Sequence, residues 1–190
     1  MPYPGNLNRK RIIKAAREMI ERDGLDRLSM RDLAKSLDVK APSLYRYVNN
    51  KEALLEAVIW VTFLDLWEVM HEAAKSEGDV RTRLLKVFCD YRRFANRYRT
   101  TYQLAFTNTV AQILPEKDLL LKKLEPITIL FAQWCGAERG FIALRGMVAM
   151  VHGWIMLENA GLFVLDGDVD AQFEQSINTY LNGIQAEVRG

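Results

Sequence analysis

Ser43, Tyr45, Arg46, Tyr47 and Lys51 follow one another closely, a crowd of hydroxyls, aromatic faces and cations on one short stretch of chain. Side chains of these types donate to phosphate oxygens, read base edges and lie against sugars, so the stretch has the chemistry to meet a nucleic acid. A merely solvated helix would carry the same residues, and the pattern alone leaves that alternative open. A second group holds different atoms: Cys135, His152 and Glu158 supply the thiol, imidazole and carboxylate of nucleophilic catalysis. No nucleophile elbow and no phosphate-binding glycine loop accompanies them, so no catalytic residue is assigned and an enzyme is not expected. His71 and His152 lie far apart in sequence, and Cys89 and Cys135 share no ligand spacing, so neither a metal nor a cofactor is expected. Both thiols read as buried small hydrophobes of a reducing compartment.

The elements that must position these residues are helical. Apolar residues recur at helical spacing almost throughout and alternating strand patterns are scarce, so the fold class is all-α. The first helix is predicted from Asn8 to Asp23, with Ile12, Ile13, Ala16, Met19 and Ile20 on one stripe and Arg9, Lys10, Lys14 and Arg17 largely off it. Gly24 stops it. Ser29 caps a second helix, with Asp32 placed to reciprocate, and Met30, Leu33, Ala34 and Leu37 face inward. After a turn at Leu37–Lys40, a third helix spans Ala41–Tyr47 and opens with Pro42, which a first turn tolerates. Asn49 and Asn50 break the chain and cap a fourth helix from Lys51 to about Lys75. Three short helices with a tight turn between the second and third make a helix-turn-helix, whose third helix would enter a major groove about 12 Å wide.

Longer helices follow. Leu84, Phe88, Tyr91, Ala95 and Tyr98 share one face; further helices are expected over Tyr102–Leu114, closed by Pro115, and over Glu116–Trp134, where Pro126 either kinks the helix or starts a new one. Glu138–Phe163 and Asp168–Val188 complete the chain, the last with Val169, Phe173, Ile177, Tyr180, Ile184 and Val188 down one side. The expected division is a DNA-contacting head over residues 1–53 and a larger antiparallel helical body over residues 54–190.

Length and composition agree with this plan. The chain has 190 residues, 49% of them hydrophobic, enough for a sizeable core. The net charge of +2 is unevenly spread: residues 1–50 hold eleven Lys or Arg against six Asp or Glu, and the remainder fifteen against eighteen. A basic head (+5) on a slightly acidic body (−3) suits a protein that meets a polyanion at one end. No charge-free run of about 18 apolar residues occurs and the start lacks the pattern of a secretion signal, so no membrane partner and a cytoplasmic location are expected.

The ordered segments Ser29-Met30-Arg31-Asp32-Leu33-Ala34, Leu37-Asp38-Val39 and Pro42 through Leu55 resemble the DNA-binding head of the TetR/AcrR family of transcriptional regulators, over roughly residues 8–60. The resemblance implies a function and a set of DNA-binding residues. Ser29, with Met30 beside it in the first turn, would bind phosphate; Arg31 would reach a guanine; Ala41, Pro42 and Ser43 would approach base edges. Tyr45 and Tyr47 would touch backbone or a thymine methyl, Arg46 between them is counted among the DNA-binding residues, and Lys51 would anchor a phosphate. Asp38 departs from the pattern, where many relatives have glycine; Asp tolerates the left-handed turn, but its charge near DNA is unhelpful.

The resemblance also implies a homodimer through the last two helices and a small-molecule cavity in the body. The segment His152–Phe163 is similar to a C-terminal motif of one subset of such regulators, and Gly146, Ala149, Gly153 and Ala160 would allow close helix approach. Tyr102, Phe106, Trp134, Met147, Met150 and Trp154 are the expected ligand-binding residues. Aromatic and Met side chains suit an irregular apolar pocket, as they also suit plain core. With few charges nearby beyond His152 and Glu158, the effector is expected to be largely hydrophobic. The function implied is a dimeric repressor on double-stranded operator DNA, released when an effector tilts the fourth helix. The alternative is a helical DNA-binding or protein-interaction module without an effector.

Overall fold

The computed structural model describes residues 7–107, 117–164 and 166–189, and among them the regular structure is helical with no strand. The chain divides into two compact units: residues 1–64 with 98–115, and residues 65–97 with 116–190.

The first unit is built on α1 (Arg9–Asp23), capped by the Asn8 side chain, which accepts from Arg11 N–H at 2.9 Å. Gly24 ends α1 at a positive φ of 86°, its N–H donating to the Ile20 carbonyl. A short 3₁₀ turn (Leu25–Arg27) leads to α2 (Met30–Ser36), then α3 (Ala41–Leu44) and α4 (Lys51–Ala74). The α1 stripe of Ile12, Ile13, Ala16, Met19 and Ile20 is buried with Leu33, Ala34, Leu37, Leu44, Val48 and, from the start of α4, Leu54, Ala57 and Val58, so four helices share one core. Asn50 caps α4 by accepting from Ala53 N–H at 2.7 Å. α6 (Arg99–Thr107) belongs to this unit although its sequence lies far from the others, and Leu104 packs against the same core. The expected helix over Tyr102–Leu114 therefore begins three residues earlier, and its second half lies outside the described residues, as does Pro115.

The second unit combines the end of α4 with α5 (Val80–Arg97), α7 (Lys117–Cys135), α8 (Ala137–Asn159) and α9 (Val169–Arg189). Its interior is Leu84, Val87, Phe88, Tyr91, Ile127, Leu130, Phe131, Ala143, Leu144, Met147, Val151, Ile155, Phe173, Ile177 and Leu181. Pro126 sits inside α7, which runs through it as one helix rather than restarting there. Gly140 lets α8 lie against α7: a Cβ there would meet the Ala132 backbone nitrogen at 2.9 Å. Gly146 serves a similar end inside the subunit, facing the Tyr180 hydroxyl of α9, which donates to the Ala143 carbonyl at 3.0 Å. Of the α9 stripe, Phe173 and Ile177 are buried, Val169, Tyr180 and Ile184 half-buried, and Leu181 completes the buried face. The Val188 side chain lies outside the described residues.

Arg92 ties three helices of this unit together. Its guanidinium donates to both Glu158 oxygens (2.8 and 2.6 Å), pairs with Asp170 at 2.7 Å and lies 4.9 Å from the Phe173 ring centre. The bidentate guanidinium holds the Glu158 carboxyl below the usual glutamate range despite its partial burial. α8 is long and apolar enough to cross a membrane by length and composition. Its residues Ala143, Leu144, Met147, Val151 and Ile155 are core residues of the unit.

Candidate nucleic-acid interface

The site is built from α2, the turn after it and α3. Ser29 stands in extended backbone before α2, and its hydroxyl accepts from Asp32 N–H at 3.1 Å while donating to the Asp32 carboxylate at 2.5 Å. The expected reciprocal cap thus takes another form, with the Asp32 carboxylate accepting the hydroxyl proton. Leu33 and Ala34 are buried, which turns Arg31 and Lys35 outward.

The turn follows from local hydrogen bonding. Leu37 N–H donates to Leu33 and Ala34 carbonyls, Asp38 N–H to Lys35, and Val39 N–H to Ala34. Asp38 has φ 56°, alone among the described non-glycine residues in the left-handed region. Aspartate is one of the few side chains that visits this region without heavy cost, so the departure at Asp38 preserves the turn. Pro42 lies in the first turn of α3, where its missing N–H had no partner.

α3 is shorter than expected, ending at Leu44 rather than Tyr47. Beyond it Tyr47 and Val48 both donate to the Leu44 carbonyl, a tightened turn that buries Leu44 and Val48 and leaves Tyr45, Arg46 and Tyr47 exposed. Of the ten residues expected to bind DNA, Arg31, Pro42, Tyr45, Arg46 and Tyr47 are exposed, and Ser29, Met30, Ala41, Ser43 and Lys51 are half-buried. Met30 and Ala41 rest partly on the head core. The Tyr47 hydroxyl donates to the Leu7 carbonyl at 2.8 Å, a contact across 40 positions that no local pattern could have revealed.

The residues expected to line an effector cavity fall in both units. In the first, Tyr102 is buried and Phe106 partly exposed, with ring centres 4.7 Å apart, and Phe106 meets Phe63 edge-on at 5.2 Å. In the second, Trp134 donates its indole N–H to the Leu181 carbonyl at 2.9 Å, Met147 is fully buried and Met150 half-buried. Trp154 packs between Phe163 and Phe173, its ring nitrogen buried without a hydrogen-bond partner among the described residues. The three residues with catalytic atoms are differently engaged. Burial pushes the Cys135 thiol up and the His152 imidazole down, and Glu158 is bound by Arg92. Of the two cysteines expected to be buried, Cys135 is, whereas Cys89 is half-buried, its thiol pushed up to about 11 by desolvation and by Glu174.

A profile of bacterial regulatory proteins, tetR family, matches residues 12–58, and one of the tetracyclin repressor-like C-terminal domain matches residues 84–180. The chain belongs to the TetR family. It is a transcription regulator with a DNA-binding helix-turn-helix. An HTH-type transcriptional regulator of Mycobacterium tuberculosis is 26% identical over 96% of this chain and 84% of its own length. The tetracycline repressor protein class D of Escherichia coli is 46% identical, over 27% of this chain and 24% of its own. Among solved structures, a TetR protein variant from Acinetobacter baumannii AYE in complex with minocycline shares the fold. Its TM-score is 0.70 at 24% identity, covering 96% of this chain and 99% of that one. The ActR protein of Streptomyces coelicolor in complex with (S)-DNPA gives a TM-score of 0.67 at 20% identity, covering 97% and 99%.

Proposed function

We propose that this TetR-family regulator is a homodimeric repressor that grips a palindromic operator through two heads and releases it when a small, largely hydrophobic effector binds. The observation that carries the reading is the outward set Arg31, Tyr45, Arg46 and Tyr47 on a rigid α2–turn–α3 frame whose inward residues are buried. Arg31 takes the role of base reader, where a bidentate contact to guanine contributes about 1–3 kcal/mol of discrimination. Ser29, Tyr45 and Lys51 take phosphate and sugar, fixing register without reading sequence, while Ser43 approaches base edges. Ser29 can do so only by exchanging its proton's partner, since Asp32 already accepts it.

Dimerisation through α8 and α9 is supported by Phe141, Ile142 and Leu157, large apolar side chains that α8 leaves exposed, with the exposed small residues Ala149 and Ala160 beside them. A symmetric pair would set two heads about 34–36 Å apart, one turn of DNA. Effector binding is supported by the two fold relatives seen with small molecules, minocycline and (S)-DNPA. Residues 1–53 serve DNA contact, and residues 54–190 serve the dimer and the effector.

The test is fluorescence anisotropy on duplex DNA flanking the protein's own gene, beside scrambled DNA, over a salt series. Specific binding that survives moderate salt and collapses in an Arg31→Ala, Tyr45→Ala double variant is expected. Equal, salt-labile binding to both duplexes would reduce the head to a generic cation. Binding that no small hydrophobic compound releases would favour a module without an effector.

A further inference from the structure

A helix exposes its first amides, and a side chain just before it ordinarily satisfies them. α6 follows Tyr98, which is not one of the short polar residue types that cap helices. Its cap comes instead from the last turn of α1. The Glu21 carboxylate accepts from Thr100 N–H at 2.9 Å, from Thr101 N–H at 2.8 Å and from the Thr101 hydroxyl at 2.6 Å. One turn earlier on α1, the Arg17 guanidinium lies 4.3 Å from the Tyr98 ring centre. Thr101 is fully buried, and Tyr102 and Phe106 follow on the same helix. The other face of α1, through Ile12, Ile13, Ala16 and Ile20, is set in the core that holds α2 and α3.

The start of α6 is therefore located by a residue of the DNA-binding head itself. We propose that Glu21 is the latch that couples α6 to operator binding, so that an effector touching Tyr102 or Phe106 acts on the head through α1 directly. Glu21 touches no DNA in this scheme and is a positioning residue. The inference rests on the reading of the chain as an effector-controlled operator binder. Charge-assisted bonds are about twice as strong as neutral ones, so α6 cannot shift without either carrying α1 with it or breaking them. Movement of α1 carries α2 and α3 with it, because they share its core. This adds a route to the tilting of α4.

Coupling between two sites is reciprocal, so the latch can be read from the DNA side without knowing the effector. The probe is a duplex selected from random-sequence DNA by binding to the full-length protein. Hydrogen exchange by mass spectrometry is followed in the free and duplex-bound protein. Operator binding is expected to slow exchange over Arg99–Thr107 by about 5-fold or more, the lower end of usual allosteric coupling. In Glu21→Gln, which keeps size but loses the paired oxygens, that additional protection disappears while protection around Leu33 persists. A cap with a purely structural role slows exchange in α6 equally with and without DNA. Equal protection in both states of the wild type, or an unchanged increase in Glu21→Gln, overturns the latch and leaves operator binding intact. Failure to select any duplex overturns the operator reading, and the latch with it. Should Glu21→Gln not fold, Thr101→Val is read in its place, because it removes one of the three bonds and leaves the head core untouched. A smaller DNA-dependent increase in α6 is expected there, and an increase equal to that of the wild type overturns the proposal.

Discussion

Asp38 and Tyr47 show what single residues contribute to the head. With φ at 56°, Asp38 occupies a conformation that a β-branched side chain adopts only with strain. Asp38→Val is expected to destabilise the protein by about 1–2 kcal/mol, read as a lower urea midpoint with an unchanged slope. Tyr47 makes a structural contact besides the role its neighbours suggest. Its hydroxyl holds the Leu7 carbonyl, so the chain entering α1 is pinned to the turn that follows α3. Tyr47→Phe should cost about 1 kcal/mol of stability in thermal unfolding, the usual net value of one hydrogen bond. An unchanged melting temperature would return the hydroxyl to the list of DNA contacts alone.

At the scale of elements, close helix contacts and one ion-pair network organise the body. Gly140 sits where α8 meets the backbone of α7 at Ala132, so Gly140→Ala forces the two helices apart. An expected loss of about 1–3 kcal/mol follows from overpacking, measurable by denaturant titration. The Arg92–Glu158–Asp170 network joins α5, the end of α8 and the start of α9. Arg92 lowers the Glu158 pKa in the folded state, so this carboxylate contributes stability that is fully present above its ordinary value of 4.5. The contribution falls away as pH drops through the depressed folded value. Stability below pH 4.5 should therefore decline less steeply in Arg92→Met than in the wild type, and the variant should be weaker by about 3 kcal/mol near neutrality. Parallel acid titrations of both proteins by circular dichroism check the sign.

For the whole molecule, the proposed dimer turns on the apolar residues that α8 leaves exposed. Ile142 is 71% exposed in the isolated chain, and Phe141 beside it stacks under Arg145 at 4.4 Å. Placing a charge there tests the proposed interface. Ile142→Asp is expected to weaken the dimer by about 2 kcal/mol, the threshold for an interface hot spot, as read by sedimentation equilibrium. Under the proposed function, in which two half-sites are bound together, operator affinity should fall with it. A variant that stays dimeric would place the contact elsewhere on the surface.

The amphipathic stripes of α1 and α5, the Ser29 and Asn50 caps and the Gly24 stop were legible in the sequence, because each depends on neighbours within about one helical turn. The order and spacing of residues 29–55 carried the family in the same local way. Contacts between distant positions had no such trace. Glu21 on Thr100 and Thr101, Tyr47 on Leu7, Arg92 on Glu158 and Gly140 against Ala132 arise only when helices pack. For the same reason the shortening of α3 at Leu44 and the passage of α7 through Pro126 could not be read from propensity. Burial of Leu44 and Val48 decides the first, and neighbouring helices support the second. Local spacing sets which residues are presented; tertiary packing sets what each is attached to, because attachment depends on distances through space that sequence separation does not encode.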